Sequence, residues 1–373
     1  MRNLPKRILI IGLTERMGGV ETFIYNTTIH SDKTKYVYDY LIHGADHCVF
    51  EKEINDFYDD SEKHIFFIRK YKENPIGCIK DLQKFYKENG NKYDYIHFQS
   101  GSTAEILYVY PFYRKYNIKV ISHSHNGNGY SPIVNSIFRH IVNKVTYKRL
   151  SCSIEATKWL FGNKYLDSTT IIMNGVDSDR FTFNEQSRIK IRKKYHIQDE
   201  LVIGHIGRFS EQKNHKFILE IFNSILRKEP QAKLILVGVG ELENDIRKLS
   251  VSMGINKSII FAGKQMNTEE YYSAFDIFLM PSLYEGLPIV GVEAQCEGLA
   301  CLFSNKIDKQ ILITDQAKIL DLESSPDTWA NFALSCKKVD RVRYPSEIIK
   351  SGYSIYNTIN TLERVYEIAN YGE

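Results

Sequence analysis

Two Rossmann-like α/β domains are what this 373-residue sequence predicts, on three observations. Short apolar runs of strand length alternate with stretches of helical pattern. The alternation pauses in a polar segment after Asn174-Gly175, a turn signal, and restarts after about residue 180. No shorter repeat or low-complexity tract competes with this two-fold organisation. Buried strands separated by helices imply parallel sheets with helices on both faces.

The elements follow in order. RILIIGL reads as the first strand and Gly18 to about His30 as a helix; YVYDYLIH and HIFFI are strands. NPIGCIKDLQKFYKENG is a helix with Gly90 as its expected C-cap, and YDYIHFQ and KVISHSH are strands. In the second half LVIGHIGRF, AKLILVGVG, INKSIIFAG and DIFLMPS are strands, with LACLFS as the final one. Between them KFILEIFNSILRKEP, ELENDIRKLSVSMG, TEEYYSAF and PIVGVEAQCEG are helices, the last with Pro288 in its first turn. The expected domains are residues 1–175 and 176–352. A last helix at about 353–370 is expected to pack back on the first.

Composition narrows the class. Hydrophobic content of 43% and charged content of 25% fit a soluble globular protein. The basic, apolar start MRNLPKRILIIGL stops at Thr14-Glu15-Arg16, so it reads as a strand and not a leader. No run approaches the roughly 20 residues that span a bilayer. The expected location is the cytoplasm. The six cysteines are scattered without zinc spacing, so neither disulfide nor metal is expected. Residues 1–175 carry 24 Lys/Arg against 18 Asp/Glu, and stretch 106–154 has seven Lys/Arg and no acid. That block points to an anionic partner near the first domain. No nucleic-acid partner is expected.

The candidate chemistry sits in four loops. In YEGLPIVGVE, Glu285 follows a strand, Gly286 and Leu287 come next, and Pro288 opens a helix whose free N–H groups suit a diphosphate. Ligands of open α/β sheets bind at the carboxyl ends of strands. Glu293, one turn on, is placed to accept hydrogen bonds from two adjacent sugar hydroxyls. In GRFSEQKNH, Gly207 ends a strand, and Arg208 and Lys213 supply two cations for a diphosphate leaving group. In TERMGGVETF, Gly18 and Gly19 allow close approach of backbone to a ligand, although the dinucleotide fingerprint is missing. In SHSHN, His123 and His125 alternate and share one side of a strand end. His97, Gln99 and Ser100, in HFQSG, end another strand, and His97 and Gln99 together with His123 form an acceptor-side candidate set.

This set resembles the family-four retaining glycosyltransferases of the GT-B fold, in the branch that builds bacterial capsule and exopolysaccharide. The resemblance runs over nearly the whole chain and rests on Gly18-Gly19, SHSHN, GRFSEQKN, VGVGEL and EGLPIVGVE. It implies two domains facing across a cleft and transfer of a sugar from a nucleotide-diphosphate donor, expected to be UDP-linked, to a lipid-linked saccharide. Arg208 and Lys213 would hold the diphosphate, Glu285 the donor sugar and Glu293 the ribose. The backbone of Gly286 and Leu287 would touch phosphate or sugar. His125 would touch the sugar near the reacting centre, and Gly19 would approach the phosphates. Such enzymes need no metal, so no cofactor is expected beyond the nucleotide-sugar co-substrate. The alternatives are another activity on the same fold (a sugar-nucleotide epimerase or a small-molecule transferase) and a non-catalytic sugar-binding partner protein.

One segment has two readings. In PIVNSIFRHIVNKVTYKRL the residues Ile133, Val134, Ile137, Phe138, Ile141, Val142 and Val145 repeat at helical spacing, with Arg139, Lys144, Lys148 and Arg149 around them. It is either a core helix with a solvated polar face or a helix lying on an anionic membrane, peripheral on the inner face of the cell membrane.

Overall fold

The computed structural model describes residues 4–99, 102–125, 132–336 and 339–368. The chain divides into two compact units. The first is Met1–Gly175 together with Ile355–Glu373; the second is Val176–Ser354.

In the first unit the order is β1 (Lys6–Ile11), α1 (Gly19–Ile29), β2 (Tyr36–His43), α2 (Glu51–Tyr58), β3 (Ile65–Ile68) and α3 (Pro75–Asn89). Then come β4 (Tyr95–Phe98), β5 (Lys119–Ser124), α4 (Pro132–Val145), β6 (Thr146–Ser151), α5 (Ile154–Leu160) and β7 (Thr169–Ile171). The strands form one parallel sheet in the order β3-β2-β1-β4-β5-β6-β7. Both faces are covered. Ile8 and Ile10 of β1 join one core with Tyr40 and Ile42, while Leu9 and Ile11 join another with Ile96 and Phe98. This is why the strand reads as an unbroken apolar run.

The second unit runs α6 (Glu185–Lys194), β8 (Val202–Ile206), α7 (His215–Leu226), β9 (Lys233–Val237), α8 (Glu243–Ser252), β10 (Ile259–Gly263) and α9 (Thr268–Ala274). It continues with β11 (Ile277–Met280), α10 (Ile289–Cys296), β12 (Ala300–Ser304), β13 (Ala317–Leu320), α11 (Pro326–Ser335) and α12 (Tyr344–Lys350). Its parallel sheet has the order β10-β9-β8-β11-β12-β13. In each unit the order reverses at one point, between β1 and β4 and between β8 and β11. Such reversals are where open α/β sheets bind ligands.

The last helix, α13 (Ile355–Ile368), belongs to the first unit. Leu362, Val365 and Tyr366 enter its core, and Lys6 Nζ and Tyr95 Oη both donate to the Tyr366 carbonyl, at 2.7 and 3.0 Å.

The structure corrects four local expectations. Gly90 does not end α3 in a left-handed cap: its φ is −57°, and the chain continues into a short 3-10 turn. Glycine is needed there because a Cβ would come within 2.7 Å of the Tyr116 ring. LACLFS is not the last strand, since β13 pairs beyond it. Pro288 is the N-cap of α10, with extended backbone, and Ile289 is the first helical residue. The helix expected from Pro132 through Arg149 stops at Val145, and Lys148 and Arg149 lie on β6.

Candidate functional site

In the second unit the candidate groups cluster where β8 and β11 end, beside the order reversal. The loop after β8 lies hard against the loop after β9. Gly238, with φ +136°, would place a Cβ 2.1 Å from the Gly207 carbonyl oxygen; a Cβ on Gly207 would sit 2.8 Å from His205 Nε2. Glycine at 238 is what lets the loops touch, and glycine at 207 leaves room for the His205 ring. Arg208 and Lys213 leave this loop with separate partners. Arg208 is exposed and meets Glu241 at 3.0 Å. Lys213 is largely covered and donates from Nζ to Glu285 Oε1. The structure therefore joins Lys213 to Glu285 directly and gives Arg208 a different carboxylate.

Glu285 stands after β11, bridged through its backbone to Ile307. Gly286 is exposed, and among the described residues nothing lies within 4 Å of a Cβ there, so their packing does not require glycine. Leu287 is half-buried ahead of Pro288. Among the described residues no side chain caps α10, so its opening amides keep their capacity to bind an anion. Glu293, one turn in, is buried, and Tyr272 Oη donates to its Oε2 at 2.9 Å. Burial pushes the Glu293 carboxyl up, to about 7, against the lowering effect of the Tyr272 hydrogen bond. One turn further Glu297 is fully buried, and burial raises it likewise, to about 7. Arg341 and Ser273 oppose that rise.

In the first unit Gly18 is the extended N-cap of α1. Its lack of a side chain makes room for Glu21, whose Oε2 would lie 2.7 Å from a Cβ at Gly18. Glu21 folds back over the helix start and accepts from Thr14 Oγ1 at 2.7 Å; burial raises its pKa. Among the described residues nothing lies within 4 Å of a Cβ at Gly19. His97, His123 and His125 come together at the ends of β4 and β5, with His123 wholly buried and His125 partly exposed. His125 Nε2 and Gln99 Oε1 are 3.0 Å apart. Ser100 and Asn126, also singled out in the sequence, lie outside the described residues.

The chain contains one Asp-x-Asp, Asp177-Ser178-Asp179. Asp177 Oδ1 accepts from the backbone amides of Asp179 and Arg180, both at 3.1 Å, and so shapes a turn. Among the described residues no group of three or more His, Cys, Asp or Glu side chains is placed to hold a metal ion, and no helix is long and apolar enough to cross a membrane.

Sequence reading missed Glu21, Glu241 and Tyr272. The first left a trace, an acid two residues after a glycine pair at a helix start. The other two reach their partners only through the fold.

Comparison with known proteins bears on the same residues. The family model for glycosyl transferases group 1 matches residues 187–315, a span that lies within the second unit and holds Arg208, Lys213, Glu285 and Glu293. EpsF of Bacillus subtilis strain 168, named as a glycosyltransferase, is 28% identical across 99% of this chain and 98% of its own length. The UDP-Gal:alpha-D-GlcNAc-diphosphoundecaprenol alpha-1,3-galactosyltransferase of Escherichia coli is 26% identical over 72% of this chain and 73% of its own. Among solved structures, HepE of Anabaena, crystallised with UDP and glucose, superposes with a TM-score of 0.79 at 14% identity, covering 97% of this chain and 99% of that one.

Proposed function

This chain belongs to the group 1 glycosyltransferases of the GT-B fold, and from that premise we propose that it moves a hexose from a UDP-sugar to a lipid-linked saccharide, with retention at the anomeric carbon, in capsule or exopolysaccharide synthesis. The observation that carries this reading is the donor-side set at the ends of β8 and β11: Arg208, Lys213, Glu285, the uncapped start of α10, and buried Glu293. Cations and helix amides suit a diphosphate. Glu293 suits the ribose diol, and Glu285 the sugar. The E. coli relative, whose name specifies UDP-galactose and a diphosphoundecaprenol-linked sugar, supports the donor and acceptor classes.

In this reading the bond from the anomeric carbon to the diphosphate oxygen breaks while the bond to the acceptor oxygen forms on the same face. The acceptor's proton passes to the departing diphosphate. Lys213 and Arg208 stabilise the negative charge that builds there, which is where fixed cations lower a barrier. His125 serves as the first unit's contact to the transferred sugar, and Gly19 and Gly286 admit ligand close to backbone. No step calls for a metal. The exposed end of α4 holds the first unit on the anionic inner face of the cell membrane, near the acceptor.

The test is a donor screen that measures nucleoside diphosphate release for each common UDP-, GDP- and TDP-sugar with undecaprenyl-diphosphate-linked acceptors. Turnover with a UDP-hexose alone is the expected result. Turnover restricted to another nucleotide, or to water-soluble acceptors, would remove the corresponding half of the reading.

A further inference from the structure

Three imidazoles form a column inside the first unit. His97 and His123 stack with planes 6° apart and ring centroids 5.4 Å apart; His123 and His125 follow at 4.1 Å. Phe23 of α1 closes the side, 5.1 Å from His123 and 4.8 Å from His125.

His123 is an expensive residue to keep there. It is wholly buried, and neither of its ring nitrogens has a hydrogen-bond partner among the described residues. Phenylalanine would fill similar space without stranding polar atoms. Local choices that oppose stability are expected where function requires them. Yet His123 is too deep to touch a ligand. Its route to the chemistry is through His125, the partly exposed member of the column.

Both ends of the column are fixed. Tyr366 Oη lies 2.7 Å from His97 Nδ1, reaching in from α13 at the far end of the chain. At the other end Gln99 Oε1 can only accept, so His125 Nε2 carries the hydrogen. On the other side of the ring His125 faces Asn174, whose side chain raises the His125 pKa against the burial that lowers it. A charge on any one ring would be buried against its neighbours, and the pKa values of all three are pushed down, first by burial.

We infer that His97 and His123 are positioning residues that hold the His125 ring in one orientation against Gln99, which in turn sets its tautomer, with Tyr366 locking the column from the last helix. The inference rests on the reading of His125 as a contact to the transferred sugar.

The experiment compares wild type, His123→Phe, Tyr366→Phe and His125→Ala. His123→Phe should melt at or above the wild-type temperature, yet lose about tenfold or more in kcat with donor KM within about twofold, the signature of lost orientation. Tyr366→Phe should shift kcat the same way by less. In ¹⁵N spectra at pH 7, wild-type His125 should be a single neutral Nε2–H tautomer, and His123→Phe should show a mixture. Wild-type kcat in His123→Phe would overturn the inference. So would a protonated or mixed-tautomer His125 in the wild type, a measurement that needs no variant to fold. A fully active His125→Ala protein would remove the sugar-contact reading instead, and the tautomer spectra would then decide the column by themselves.

Discussion

Lys213 and Glu285, 72 residues apart in the chain, pair their charges across two strand-end loops with only 15% and 12% of their side chains exposed. The two groups assigned to different parts of one donor are bound to each other, so donor binding must divide them between diphosphate and sugar. Lys213→Ala removes both the diphosphate cation and the partner of a largely buried carboxylate. Transfer should fall by about two to three orders of magnitude, the usual scale for one electrostatic stabiliser, and the melting temperature should drop as well. Lys213→Ala/Glu285→Gln should recover the stability and not the rate. Arg208, whose pair with Glu241 is exposed and so weakly held, is free to turn to the diphosphate, and Arg208→Ala should cost a similar factor in rate with no loss of stability. Steady-state kinetics and thermal melts on the folded variants decide it. Near wild-type rates for both alanine variants would end the diphosphate assignment.

A second prediction follows from Glu293. Its folded-state pKa lies at about 7, above the ordinary 4.5, through burial. The folded protein therefore holds a proton there that the unfolded chain releases. That contribution to stability is complete below about pH 4.5 and lost as pH rises through about 7. Each pKa unit is worth about 1.4 kcal/mol, so Glu293→Gln should lose about 1–3 kcal/mol less than wild type between pH 5 and 7.5. Urea midpoints at the two pH values measure this. Donor ribose hydroxyls favour the ionised form, so wild-type donor KM should fall from pH 6 to 8 and the variant's should not. Parallel stability curves for the two proteins would contradict the buried-carboxyl account.

How far these sites were legible depends on whether a residue's role is local. The strands were readable because burial on both faces makes them unbroken apolar runs, as in Ile8–Ile11. The strand-end loops were readable because Gly207, Gly286 and Pro288 mark where backbone must turn or open. The end of α4 was not. Val145 runs into Thr146-Tyr147-Lys148-Arg149 without glycine or proline, and β6 is too short for its two-residue period to outweigh the helical stripe before it. Tyr272 was hidden for a different reason: its hydroxyl meets Glu293 only because α9 and α10 are brought together by the sheet.

Metal independence is a third prediction. The one Asp-x-Asp of the chain has Asp177 engaged by two backbone amides, and the charge of the departing diphosphate is assigned to Arg208 and Lys213. Transfer should keep its rate in excess EDTA. Loss of activity that magnesium or manganese restores would show that a bound cation, and not these two side chains, neutralises the leaving group.

The fourth prediction concerns the membrane and turns on how α4 divides its residues. Val142 and Val145 are buried in the core, and Phe138 and Ile141 pack against it. Ile133 and Ile137 are 74% and 61% exposed, and Ser136, His140 and Lys144 share their side of the helix. Thus the apolar stripe serves the core at its C-terminal end and faces outward at its N-terminal end. Of the four cations expected on one helix, Lys148 and Arg149 are on β6, and Arg149 lies 3.9 Å over the Tyr165 ring while donating to the Asn143 carbonyl. Arg149 is held by these contacts, and neither residue belongs to a docking helix. Lys144 near an anionic surface is worth about 1 kcal/mol, and each isoleucine transferred from water about 1.5–3 kcal/mol. Attachment should therefore depend more on Ile133 and Ile137 than on charge, and should weaken only in part with salt. Liposome co-sedimentation across anionic lipid content and ionic strength tests this with two variants. Ile133→Ser/Ile137→Ser/Lys144→Gln should lose most binding, whereas Lys148→Gln should bind like wild type. Equal sedimentation of the triple variant and wild type, or no binding by either, would leave the exposed isoleucines without this role and require the acceptor to be reached another way.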